Sequence, residues 1–352
     1  MIAVDAMGGD RAPRSIVQGA VAAAKEGIPI LLCGSQLALL SNLPDNWQTL
    51  PITLEFCEQE IGMEEEPARA VRSKPNSSLM CAMKAVASGR ASAFYSAGNS
   101  GAVLVASVVV CGRVAGLHRP AVGTFLPAQK GSFFCLDVGG TVDCKAEYLA
   151  QFAMMGHAYL SVVTGMEYPR IGLLSNGHEP FKGSLEVKKA YKLLSQTALN
   201  FVGNIEAREA IEGMVDIVVC DGFVGNVMLK AIQGTARTLF GWIKEGAHNS
   251  MYQRLCLWLN RSLFRTIKKR ADYSSVGGAL LLGINKPVIV AHGRSDAVAV
   301  KNGILFAHVV AQENRVEKCN AVLQALLQSN KQTQKPTEHH VRSLFGWKQY
   351  DA

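Results

Sequence analysis

A chain of 352 residues with 49% hydrophobic and 18% charged side chains is too apolar to be disordered or fibrous, and long enough for one large α/β domain or two smaller ones. Its formal charge of +8 is unevenly placed: seven basic residues face two acidic ones over 242–272 and four face two over 331–352, which leaves the remainder at +1. That distribution argues against a nucleic-acid binder and points the basic stretches at an anionic membrane or an acidic protein.

In chain order, short apolar runs alternate with helical patterns. Strands are expected at 2–5, 28–33, 52–57, 93–96, 121–126, 133–137, 171–174, 200–203, 217–220 and 288–291. Helices are expected at 13–25, 77–88, 101–111, 147–163, 185–196 and 295–327. Strands apolar on both faces suit a buried parallel sheet, and their alternation with helices suits a three-layer α/β/α sandwich. Residues 225–272 read instead as two consecutive helices broken at His248-Asn249-Ser250, and the polar stretch 331–352 reads as a disordered tail. A single domain is therefore expected to cover 1–330. Nine cysteines without a CxxC spacing read as reduced core residues, the N-terminus does not read as a signal peptide, and the apolar run 102–111 is too short to span a bilayer.

Chemistry concentrates where strands end. Asp5-Ala6-Met7-Gly8-Gly9-Asp10, Ser96-Ala97-Gly98-Asn99-Ser100-Gly101, Asp137-Val138-Gly139-Gly140-Thr141, the loop 175–183 and Asp221-Gly222-Phe223-Val224-Gly225-Asn226 all follow expected strands. Glycines there free backbone N–H groups for an anion, and five such clusters are expected to converge on one phosphate-sized cleft. No GxGxxG follows the first strand, and GxxxxGK[ST], HExxH and GxSxG are absent, so dinucleotide, P-loop, zincin and serine acyl-enzyme chemistries gain no support.

The strings DAMGGD (5–10), SAGNSGA (96–102), LDVGGTVDCK (136–145), FVGNIEAR (201–208), DGFVGNVMLK (221–230), VGGALLLG (276–283) and PVIVAHGRSD (287–296) closely resemble the phosphate acyltransferase (PlsX) family, collinearly from Ile2 to about Gln328. The resemblance implies a Rossmann-like three-layer α/β/α sandwich, related to phosphotransacetylases and isocitrate-dehydrogenase-like enzymes, with a projecting helical pair. It implies reversible acyl transfer from acyl-[acyl carrier protein] to inorganic phosphate, giving the acyl-phosphate that a glycerol-3-phosphate acyltransferase consumes in bacterial phospholipid synthesis. A homodimer, peripheral membrane association from the cytoplasm, and no cofactor or metal are implied as well. The chain departs from the family's usual pattern at Gly140-Thr141 and around Ser175 and Pro180-Phe181, while keeping Lys182 and Gly183.

On that resemblance phosphate is its own nucleophile, and the protein has to hold two anions and stabilise an oxyanion. Lys182, Asn226 and His292 are the candidate catalytic residues: a charge on phosphate or carbonyl, an oxyanion or phosphate donor opening a helix, and a proton-transfer group. Asp5, Gly8, Gly9, Asp10, Gly98, Asn99, Ser100, Gly101, Asp137, Gly139 and Asp221 are the candidate phosphate and substrate residues. In the basic segment Arg254, Arg261, Arg265 and Lys268 share one helical face and Leu255 and Leu259 lie on the other; with Leu257 and Trp258 they are expected to meet an anionic membrane, or acyl carrier protein. A decarboxylating dehydrogenase, an acyl-CoA phosphotransacetylase and a non-catalytic adaptor are the rival readings.

Overall fold

The computed structural model describes residues 1–248, 251–271, 277–312 and 314–333. The first half runs β1 (Ile2–Asp5), α1 (Arg14–Ala24), β2 (Ile30–Gly34), α2 (Gln36–Leu40), β3 (Ile52–Phe56), α3 (Pro67–Ser73), α4 (Ser78–Ala87), β4 (Ala93–Ser96) and α5 (Ser100–Ala106), which ends in a π turn, Ser107–Cys111. The second half runs β5 (Ala121–Pro127), β6 (Ser132–Leu136), α6 (Ala146–Thr164), β7 (Ile171–Leu174), α7 (Leu185–Leu194), β8 (Phe201–Ile205), α8 (Ala207–Glu212), β9 (Ile217–Val219), α9 (Gly222–His248), α10 (Met251–Leu259), α11 (Arg261–Ala271), β10 (Ala279–Leu282), β11 (Val288–Val290), α12 (Ala297–Gln312) and α13 (Arg315–Thr333).

The strands among the described residues join one eleven-stranded sheet in the order β3-β2-β1-β4-β11-β10-β5-β6-β9-β7-β8. Alternate side chains of each strand enter different cores. Val4, Tyr95, Leu136 and Ile289 pack on the face covered by α1, α6, α7, α12 and α13. Ala3, Phe94, Cys135 and Val290 pack on the face covered by α3, α4, α5, α8 and the start of α9. Burial on both faces explains the continuous apolar runs, and the three-layer α/β/α sandwich stands as expected.

The sheet is mixed where a parallel one was expected. β10 pairs antiparallel with β11 and with β5, and β5 pairs antiparallel with β6. One row of partners crosses all eleven strands: Leu54, Leu32, Val4, Tyr95, Ile289, Leu280, Gly123, Leu136, Val219, Leu173 and Asn204. Past this row, β1, β4 and β11 end on one edge of the sheet, whereas β6, β9, β7 and β8 end on the opposite edge. The parallel blocks thus run in opposite directions, with β10 and β5 as the seam between them.

Other expectations need revision. The expected helix 295–327 is two helices, α12 and α13, with Asn314 in left-handed geometry (φ 50°) at the break. The expected helical pair is three helices, because Asn260 separates α10 from α11; residues 249–250 of the expected break lie outside the described residues. α13 continues to Thr333, so the expected tail begins in helix, and 334–352 lie outside the described residues.

Candidate functional site

At the first edge the ends of β1, β4 and β11 fold onto one another. Asp5 is buried; its Oδ1 accepts from Ser78 Oγ (2.6 Å) and its Oδ2 from Ser96 Oγ (2.7 Å). Burial raises its pKa above the ordinary carboxylate value, and the two hydroxyls and the Met7 N–H offset part of that. The β1 and β4 loops touch backbone to backbone: a Cβ on Gly8 would stand 2.5 Å from Asp5 Oδ2 and 2.8 Å from Gly98 N, so only glycine fits. The third strand end joins through Asp10, whose N–H donates to Gly293 O (2.8 Å).

Asn99 is a structural hub of this edge. Its Oδ1 caps α5 by accepting from Ala102 N (3.1 Å), and its Nδ2 donates to Met63 O (3.2 Å) and Glu65 O (2.9 Å). Ser100 stays exposed beside it, and the N–H groups of Ser100 and Gly101 open the helix without intrahelical partners.

At the second edge Asp137 is also buried, but backbone amides hold it. It accepts from Val122 N (3.0 Å), Gly139 N (3.1 Å), Gly140 N (2.9 Å) and Thr141 N (2.6 Å). Burial pushes its pKa up to about 6 despite these donors. Both oxygens are committed to the loop, so Asp137 shapes the site rather than facing a ligand. Asp221 Oδ1 accepts from Val224 N (2.8 Å) and caps α9. Gly225 then packs α9 against the loop so closely that a Cβ there would lie 1.9 Å from Asp137 O.

Asn226 is exposed one turn inside α9, so it does not open the helix; Asp221 does. Phe223 (61% exposed) and Val227 (54%) flank it. Lys182 lies half-buried in the loop after β7, its Nζ 6.0 Å from the Phe181 ring centroid, and that loop is tied to β8 by Asn204 Nδ2 donating to Glu179 O (2.9 Å). The five clusters therefore do not share one rim: those after β1 and β4 lie on one edge, and those after β6, β7 and β9 lie on the other.

α9 links the edges. It starts at the Asp137 loop and runs back along β5 and β6, bringing Lys230 and Arg237 to the first edge. Partial burial and then the charges of Arg294 and Arg237 lower the Lys230 pKa. His292 is lowered by burial first and by Lys230 next; Arg294 and Arg237 add to this and Asp10 opposes it. Lys230, Arg237 and Arg294 were not picked out from the sequence. The signal for Lys230 was its spacing, four residues after Asn226 on the same helix face. For Arg294 it was position, two residues past His292.

In the arm formed by α9, α10 and α11, Leu255 (54%), Trp258 (58%) and Leu259 (63%) are exposed, and the Arg261 guanidinium lies 5.2 Å from the Trp258 ring centroid. Leu257 instead lines a 390 Å³ cavity with Ile243, Gln253, Asn260 and Leu263. The side chains of Arg254, Arg265 and Lys268 lie outside the described residues. Among the described residues no helix is long and apolar enough to cross a membrane, and no group of three or more His, Cys, Asp or Glu is arranged to hold a metal ion.

A phosphotransacetylase from Streptococcus pyogenes has the same fold, with a TM-score of 0.57 and 17% identity over 87% of this chain and 93% of that chain. The eleven-stranded sheet and its flanking helices thus define a three-layer α/β sandwich of the fold seen in that phosphotransacetylase. A family model described as fatty acid synthesis protein matches residues 1–318. The phosphate acyltransferase of Trichlorobacter lovleyi is 44% identical over 87% of this chain and 90% of its own length, and that of Geobacter sulfurreducens is 45% identical over 87% and 89%. The chain belongs to this family, the phosphate acyltransferases, and is an acyltransferase.

Proposed function

We propose that the protein transfers a fatty acyl group, reversibly, from acyl-[acyl carrier protein] to inorganic phosphate. The observation that carries this reading is the 44% identity, across nearly the whole chain, to a protein named phosphate acyltransferase. In the reaction an oxygen of hydrogen phosphate attacks the thioester carbonyl, a C–O bond forms, the C–S bond breaks, and the phosphate proton ends on the carrier thiol. No protein nucleophile is required; positioning and charge stabilisation supply the rate.

The exposed residues at the start of α9 support the assignment of parts. Exposed Phe223 and Val227 suit the start of an acyl chain, and Asn226 between them suits a donor to the oxyanion. Lys182 is assigned to the charge on phosphate or carbonyl, and the N–H groups at Ser100 and Gly101 to phosphate. Asp5, Gly8, Asp137 and Asp221 position these groups. Lys182→Ala and Asn226→Ala should each slow acyl-phosphate formation by roughly ten- to a thousand-fold, the range for losing a charge-stabilising donor. Near wild-type turnover in both, with circular dichroism unchanged, would remove these two roles.

Residues 1–330 work as one catalytic unit in this reading, with α9–α11 as the dimer and membrane element. The exposed Leu255, Trp258 and Leu259 would enter the headgroup region of an anionic cytoplasmic membrane, while Arg261 and its basic neighbours meet the phosphates. The same basic surface suits the acidic carrier protein, and the product would pass to a membrane glycerol-3-phosphate acyltransferase. Trp258→Glu should reduce co-sedimentation with phosphatidylglycerol vesicles several-fold; unchanged binding would exclude α10 as the anchor.

A further inference from the structure

The loop after β11 holds His292 in a defined state. Arg294 N–H donates to His292 Nδ1 (3.0 Å), and Ser295 Oγ donates to His292 O (2.6 Å). A ring nitrogen that accepts carries no proton, so the neutral imidazole has its proton on Nε2. Protonating Nδ1 would break the bond to Arg294 N and add a charge beside three cations. Burial and those cations already hold His292 below its ordinary pKa.

The cations come from two elements. Lys230 and Arg237 are seven residues apart on α9, two turns along one face. Arg294 comes from the β11 loop, where its Nε lies 3.9 Å from Asp10 Oδ2. Asp10 is the carboxylate that faces this group, which leaves it net positive; among the described residues neither Lys230 nor Arg237 forms an ion pair. Like charges gathered at one exposed spot repel one another, and a bound anion offsets that cost.

We propose that Lys230, Arg237, Arg294 and the Nε2–H of His292 form a subsite for a phosphoryl group, in which His292 is a neutral hydrogen-bond donor and not a proton acceptor. The inference rests on the acyl-transfer reading for its biological ligand, which is inorganic phosphate or the phosphate of the carrier's pantetheine arm. It replaces the proton-transfer role expected for His292.

Long-range ¹H–¹⁵N spectra of the full-length protein, with His292→Gln to assign the ring, test it without an acyl donor. At pH 7 His292 should show the neutral Nε2–H tautomer. Its signal should move saturably with inorganic phosphate or with pantetheine 4′-phosphate, and not with sodium chloride at equal ionic strength. Saturation by phosphate assigns the subsite to the attacking substrate; saturation by pantetheine phosphate alone assigns it to the carrier arm. Arg237→Gln, an exposed substitution, should weaken that binding about ten- to a hundred-fold. A charged or Nδ1-protonated ring, equal shifts with chloride, or unchanged binding in Arg237→Gln would overturn the proposal. Phosphate binding with no acyl-phosphate formed would overturn the reaction and leave the subsite.

Discussion

The two edges of the sheet each bury a carboxylate at a strand end, and they satisfy it differently. Asp5 is met mainly by serine hydroxyls from α4 and β4, so the bonds tie three separate elements together. Asp137 is met by amides, three of them from its own loop, so the bonds fold one segment onto itself and present it to α9. Hydroxyl partners can rotate to suit either protonation state, whereas N–H partners can only donate. The first edge is thus a junction between elements, and the second is a rigid platform whose shape depends on the charge of one residue.

The largest effect should come from Gly225→Ala. Its Cβ would collide with the carbonyl of Asp137, backbone against backbone, and α9 would have to move off the platform. A loss of about 3 kcal/mol in urea unfolding is expected; a variant of wild-type stability would show that the platform yields and the contrast between the edges is false.

Ser78→Ala tests the junction. It leaves Asp5 Oδ1 with the 3.3 Å Met7 N–H bond in a buried site, for a cost of about 2 kcal/mol. If the cost is below about 0.5 kcal/mol, Asp5 does not depend on α4 and the junction is weaker than described.

Asp137→Asn gives the smallest and most specific signal. The folded pKa is about 6 against an ordinary 3.8, so the folded chain keeps a proton that the unfolded chain has already released. Stability from that proton is present at low pH and is lost as pH rises through about 6. Between pH 5 and pH 7.5 the wild type should lose about 1 kcal/mol that the variant does not lose. Parallel pH profiles for the two proteins would mean that the four amides outweigh burial.

Most elements were legible because the sheet is buried on both faces and its strands are short apolar runs between helices. β10 was not, since Ala279–Leu282 is four residues after paired glycines and its pattern carries no direction. Three successive antiparallel pairings, β11–β10, β10–β5 and β5–β6, reverse the second parallel block, and that arrangement separates the loop clusters that local reading expected to converge. Asn314 did carry a usable signal, because Asn accepts left-handed geometry and ends helices, yet the apolar periodicity on either side masked it. The glycines and Asp5 were legible as strand-end features. The commitment of Asp137 to backbone, and the meeting of Lys230 with His292 across some sixty residues of sequence, depend on packing alone.

The purified protein mixed with acyl-[acyl carrier protein] and inorganic phosphate should release acyl-phosphate, trapped as the hydroxamate, in an amount that depends on phosphate and matches the free carrier thiol produced. No acyl-phosphate from this donor, or its formation from acyl-coenzyme A alone, would contradict the account.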